Sequence, residues 1–514
     1  MAAPPERGLK QISVILCALL CARAALPQEV HSHPPPEKLG TVSFATSCAG
    51  QVAADFRRSV ALLHSFAYTA AEQSFEKVAA ADPSCAMAQW GIAMSYYHQL
   101  WSPPDQKDLR AGSVAAEQAA RLKGGSLRER QFIAAVAAYY RDADKLAPQV
   151  RAKAYEEAMG EAARSNPKDT ETQVFYALAL IATAPPEDAT HANQKRAAAM
   201  LERVYRDQPD HPGAAHYLIH AYDSSELAPR GLAVARAYSK IAPSAPHALH
   251  MPSHIFTRLG LWNDSIASNM AARAAAHDQG DQGEELHAMD YLTYAYLQRG
   301  LDADAQAVVA ALTGMSAVAA PGSDFKVGYA ATAMPVRLAM ERHVWSDALN
   351  LQPIPGSPPH VAAIAYWARA VAAARAGHPQ TADADIAKLE ACREQLKAMG
   401  NTYWAGQVDV LYKEAKAWQS AAMGNAAASA QLLRQAADEE DAVEKLPVTP
   451  GPVVPAREQL GEMLLEQHHP KEALAEFQAA LAEAPGRRGS LTGGARAAEL
   501  AGDTGAAAKM RAAL

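Results

Sequence analysis

The chain has 514 residues, 20% of them charged, and a formal net charge of −7. That length exceeds what one compact core usually holds, so several domains or a repeat array are expected. The mild acidity comes with no basic cluster, which argues against nucleic acid as a partner, and alanine-rich composition with sparse Val, Ile and Thr favours helix throughout.

Residues 1–25 read as an export signal. Arg7 and Lys10 make a positive start, residues 12–20 a short apolar core, and Ala22-Arg23-Ala24 a small-residue cleavage site. The apolar run is too short to span a bilayer comfortably, and no second candidate follows, so no stable membrane span is expected. The mature chain is expected to be secreted or periplasmic, the alternative being an uncleaved anchor. Removal of the signal leaves Cys48, Cys85 and Cys392. In an oxidising compartment Cys48 and Cys85 can pair; otherwise they are separate buried thiols.

A Pro-rich linker occupies 26–45, with three consecutive prolines at 34–36, and helical periodicity starts near Gln51. Ala71, Phe75 and Pro83 then follow an Ala-x3-Phe…Pro spacing, and near the far end Leu460-Gly461, Ala473, Phe477 and Pro485 follow it with its preceding Leu-Gly. This pattern resembles the tetratricopeptide repeat, a helix–turn–helix unit of about 34 residues that stacks into a solenoid. Pro83, Pro167, Pro209 and Pro243 mark turns between units, since proline cannot continue the helix before it. First helices are expected over 84–100, 170–183, 213–222, 247–259 and 284–299. A loose stretch at 314–328 and Pro-rich breaks at 351–359 and 447–455 follow, with helices near 360–376, 380–399, 402–422 and 426–445. The expected fold class is an all-α, tetratricopeptide-type helical-hairpin solenoid. Its lobes are expected at 46–313, carrying a His-rich groove, and 325–514. Leu63-His64-Ser65-Phe66, residues 86–94, residues 98–101 and residues 250–256 also resemble a group of exported bacterial tetratricopeptide proteins. That resemblance implies a solenoid and transfers no reaction.

Counting from the turn prolines exposes the main functional signal. His216 and His220 stand seven and eleven residues after Pro209, and His250 and His254 stand at the same steps after Pro243. Four residues is about one helical turn, so each pair shares a face. Asp223 extends the first stripe, His247 joins the second, and His287, Asp290 and Tyr294 form a third on the next first helix. Packed helices lie roughly 8–10 Å apart, within reach of imidazoles leaning to a shared centre. From Pro83 the same count gives Trp90, Met94 and, one turn on, His98; core packing is the better reading there.

Neutral imidazole is the commonest biological metal ligand. His216, His220, His247, His250, His254 and His287 are therefore candidate ligands. Asp223 and Asp290 are candidate carboxylate ligands or outer partners orienting a ring. The cofactor expected is a transition-metal ion, copper favoured over zinc or iron. Tyr217, Tyr222, Tyr291 or Tyr294 can assist as acid, donor or redox partner if the site is catalytic, in a metal-dependent oxidoreductase or hydrolase. The alternative is a metal-free scaffold whose concave groove takes a peptide or protein partner. Arg258 and Arg273 are possible groove residues for an anionic ligand. His64, His277 and His343 read as structural or solvent-exposed, and His468 and His469 as solvated. No phosphate-binding glycine loop, His-Glu-x-x-His or Gly-x-Ser-x-Gly occurs.

Overall fold

The computed structural model describes residues 37–100, 103–319 and 325–514. The expected export signal, most of the linker, Trp101 and residues 320–324 lie outside the described residues. From Lys38 onward the chain is one compact unit. It is all helix, with no strand among the described residues, arranged as successive antiparallel pairs of the tetratricopeptide type.

The first helices expected from the turn prolines form at Ala86–Tyr97, Thr170–Ala182, Pro212–Ala221 and Gln282–Gln298. Each packs against the helix after it: Gln106–Leu122, Ala192–Asp207, Ala228–Ile241 and Asp302–Ala310 respectively. The terminal repeats begin with Ala456–Glu466 and Pro470–Glu483.

The 247–259 segment departs from expectation. It is two short helices, Pro246–His250 and Pro252–Arg258, joined at Met251. Pro252 has no N–H to give the carbonyl one turn back and its ring crowds that carbonyl, so the helix breaks there.

The repeat motif has a packing cause. A Cβ added at Gly91 would stand 2.4 Å from the Phe75 ring, and one at Gly461 would stand 2.8 Å from Phe477. In both repeats the motif phenylalanine fills the room that a glycine leaves, and both rings are wholly buried. Gly91→Ala is therefore expected to destabilise the protein by about 1–3 kcal/mol through overpacking. Urea denaturation reads this as a lower midpoint at unchanged slope.

Two large apolar clusters make the core, one from Leu39 to Phe256 and one from Tyr329 to Met510. A smaller one, from Leu286 to Met334, overlaps the start of the second in sequence. The chain also meets itself over long separations. Trp262 Nε1 donates to the Gly486 carbonyl at 2.9 Å, and Gly260, at φ +67, lies so close to Pro485 that a Cβ would reach 2.3 Å from its carbonyl oxygen. Arg487, wholly buried, bridges Glu341 and Glu458 at 2.8 Å each. Near the N-terminus Cys48 and Cys85 form a disulfide, resolving that alternative, and Cys392 is a buried free thiol.

Candidate metal centre

Six histidines converge where three consecutive first helices meet. His216 and His220 come from Pro212–Ala221, His247 and His250 from Pro246–His250, His254 from Pro252–Arg258, and His287 from Gln282–Gln298. None is more than 6% exposed. Despite the break at Met251, His250 and His254 still meet, Nε2 to Nε2, at 3.0 Å; His216 and His220 meet the same way at 3.1 Å.

The six sort into two groups of three. Ligand nitrogens of His216, His220 and His247 lie within 4.8 Å of one another, and so do those of His250, His254 and His287. The groups adjoin, with ring centroids of His220 and His254 5.7 Å apart and those of His247 and His250 5.8 Å apart. Asp223 and Asp290 belong to neither group.

What the outer nitrogens touch decides what the inner ones are. His216 Nδ1 faces the His64 carbonyl at 2.6 Å, an atom that can only accept, so Nδ1 carries the proton. His254 Nδ1 faces the Asp223 carboxylate at 2.8 Å and His247 Nδ1 that of Glu284 at 3.0 Å, with the same consequence. His250 Nδ1 lies 2.7 Å from Asn269 Oδ1, and the Asn269 amide nitrogen donates to the Ser265 carbonyl at 2.8 Å, which fixes its oxygen as the acceptor. In the neutral rings of His216, His250 and His254, Nε2 therefore holds a lone pair rather than a proton. The His250 and His254 lone pairs point at each other.

A proton shared between the two is disfavoured. Burial, with the neighbouring imidazoles adding to it, drives His216, His220, His250 and His287 well below the ordinary histidine range. Burial also lowers His254, against the pull of Asp223, to about 4. Protons held off in the folded state but taken up by the unfolded chain cost stability on acidification. Metal-free protein is thus expected to melt at progressively lower temperature as pH falls from about 6.5, where the unfolded histidine titrates, to about 4, where folded His254 does. A flat melting temperature over that window would contradict the assignment of neutral rings.

An outer layer of charge holds the rings in place. Asp223 accepts from Lys445 Nζ and Arg258 Nε at 3.0 Å each, and Arg258 reaches Glu444 at 2.7 Å. Burial would raise the Asp223 carboxyl, but Lys445 and Arg258 outweigh it and hold it well below its ordinary range. Glu284 is held low in the same way by Lys326, 2.6 Å away, and by His247. Asp290 instead lies 3.8 Å from Arg337, its carboxyl pushed up to about 6 by burial. Arg258, a possible anion-binding residue from sequence, is taken up by its two carboxylates, and Arg273 lies 3.5 Å from Glu285.

The groove is closed at the histidines. The 444–449 segment crosses them, tied down by the Lys445 and Glu444 ion pairs and by Tyr291, whose hydroxyl lies 3.0 Å from the Thr449 carbonyl and 3.1 Å from that of Pro447. From the other side Phe66 stacks on His220 and His247 and meets His216 edge-on. It does so from φ 54, a left-handed conformation that costs a bulky residue energy and that surrounding structure must impose.

Of the four candidate tyrosines, Tyr291 and Tyr217 adjoin the histidines, their rings 4.7 Å from that of His250 and 5.2 Å from that of His216 respectively. Tyr217 hydrogen-bonds His64 at 2.9 Å, Tyr222 hydrogen-bonds Glu202, and Tyr294 lies 3.2 Å from Arg487. His64 is structural, as one of its two readings had it: Glu171 takes His64 Nε2 at 2.9 Å on one oxygen and His211 Nε2 at 3.1 Å on the other, all three wholly buried. Tyr217 and the Ala214 N–H satisfy the remaining ring nitrogens, so hydrogen bonding alone accounts for this trio. It supports the centre through the His64 carbonyl. Sequence reading missed His211 and Glu171. The available signal was a histidine at the N-cap just before Pro212 and a glutamate in the first turn of Thr170–Ala182. His277, His343, His468 and His469 stand apart, the first three-quarters exposed.

No family model and no curated protein matches the chain. Solved structures do. Human IFIT1, as a dimer with m7Gppp-AAAA, is 12% identical with a TM-score of 0.34, covering 83% of this chain and 88% of that one. The P58(IPK) TPR domain is 13% identical at 0.23, covering 88% and 99%, and Naa15/Naa10 bound to HypK-THB is 14% identical at 0.19, covering 90% and 75%. At these values the likeness says nothing of ligands.

Proposed function

Starting from this tetratricopeptide-type array, we propose that the protein holds a transition metal, copper before zinc or iron, on its buried histidines and acts as a metal-dependent oxidoreductase. The observation carrying this is the meeting of His250 and His254 through Nε2 atoms whose outer nitrogens are both fixed as donors. Two facing lone pairs at 3.0 Å in a buried interior are repulsive unless a cation sits against them. Partners at Nδ1 that set tautomer and orientation are what metal-ligating histidines ordinarily have.

An all-imidazole, uncharged donor set suits copper, which also heads the affinity order among divalent ions. Redox chemistry is favoured over hydrolysis because the nearest carboxylates, Asp223 and Glu284, are engaged by cations and ring N–H groups rather than placed to take a proton from water. The Cys48–Cys85 disulfide supports the exported location read from the N-terminal pattern. A peptide-binding scaffold finds less support, because the 444–449 segment already covers the face where the histidines lie.

The test is thermal melting of chelator-stripped protein with Cu(II), Zn(II) or Fe(II) added. Binding to the folded state alone raises the melting temperature, and the rise is expected to be largest for Cu(II). No shift with any of the three would overturn the proposal.

A further inference from the structure

The two histidine trios repeat each other. His216 and His220 recur as His250 and His254 after one 34-residue unit, and each pair takes its third member, His247 or His287, from the next first helix. A site for a single ion would need one convergence point. Here ligand nitrogens close on two separate points, each within 4.8 Å, in groups whose rings lie 5.7 Å apart at His220 and His254. Three protein ligands with an open position is the arrangement of reactive rather than purely structural centres, and adjacent ions about 3.5–4 Å apart can share a ligand.

The charges nearby narrow what that shared ligand is. Asp223 faces Lys445 and Arg258, Glu284 faces Lys326, and Asp290 lies 3.8 Å from Arg337, so each of these three carboxylates has a cation beside it. Two divalent ions would bring four positive charges into a buried place where these three carboxylates are already engaged. Two Cu(I) ions bring only two, and neutral imidazoles suit them.

We propose that the centre holds a pair of copper ions, one on His216, His220 and His247 and one on His250, His254 and His287, and that the pair binds dioxygen between them. This rests on the reading that these histidines hold metal. Each Cu(I) gives one electron: two Cu(I) become two Cu(II), and dioxygen becomes peroxide, with no bond to hydrogen made and no proton moved. The total charge of the centre is the same before and after. That suits a buried site whose neighbouring carboxylates already face cations, because no counterion has to enter.

The experiment loads stripped full-length protein with Cu(I) under anaerobic conditions, counts copper, and then admits dioxygen. Two copper ions per chain are expected, with one dioxygen taken up per pair. The resulting Cu(II) should show little EPR signal, because the two spins couple through the shared ligand. His287→Gln should bind one copper and give the full signal of an isolated Cu(II) on oxidation. One copper per chain in the parent protein, or two with the full signal of two independent spins, would overturn the pair while leaving the metal reading intact. No copper uptake would overturn both. The count and signal of the parent protein stand without the variant, should His287→Gln not fold.

Discussion

Replacing His220 and His254 together by glutamine is expected to abolish metal binding, while replacing His468 and His469 leaves it unchanged. The first two contribute one ligand to each trio and are the closest approach between them, 5.7 Å centroid to centroid. Their loss leaves each group with two imidazoles, so the drop should exceed the roughly 10–100-fold that follows from disturbing an outer partner alone. His468 and His469 are exposed at the turn before Pro470–Glu483, where a surface histidine binds metal only weakly. Metal content after dialysis against a mild chelator reads the difference, with far-ultraviolet circular dichroism showing that the helices persist. Retained metal in the first variant would place the ion elsewhere.

Asp223→Asn is expected to be costly in two ways. The substitution keeps the shape and removes the charge that Lys445 and Arg258 share, and both cations lie about nine-tenths buried. Arg258 keeps Glu444 but Lys445 loses its ion-pair partner, and a buried charge left uncompensated typically costs about 3–5 kcal/mol, visible in urea denaturation. Asp223 also accepts from His254 Nδ1, so its loss loosens the ring and its tautomer, and metal affinity should fall about 10–100-fold. The two readouts separate its roles. A stability loss without an affinity loss would reduce Asp223 to an anchor for the 444–449 segment.

Much of this was legible in the chain. Helix period and turn prolines place His216, His220, His250 and His254 at equivalent steps, because stacking identical units brings equivalent positions side by side. His247 and His287 follow from the same stripes. What was illegible depends on contacts between distant segments. Nothing local says that Lys445 will reach Asp223 across 222 residues, or that the His64 carbonyl will fix the tautomer of His216. Asp290 shares its helix face with His287, yet its side chain answers to Arg337 from a different helix. The concave face was readable as a surface; that it is sealed depends on where 444–449 lies. Pro252 was visible, but local chemistry alone did not show that a broken helix would still bring its two histidines together.

The central claim is that the buried imidazoles exist to hold metal, and elemental analysis of untagged protein purified without chelator tests it most directly. Copper bound in stoichiometric amount, lost in the His220/His254 double variant, is the expected result. Protein that is metal-free as isolated, and takes up no copper, zinc or iron when offered each, would contradict it.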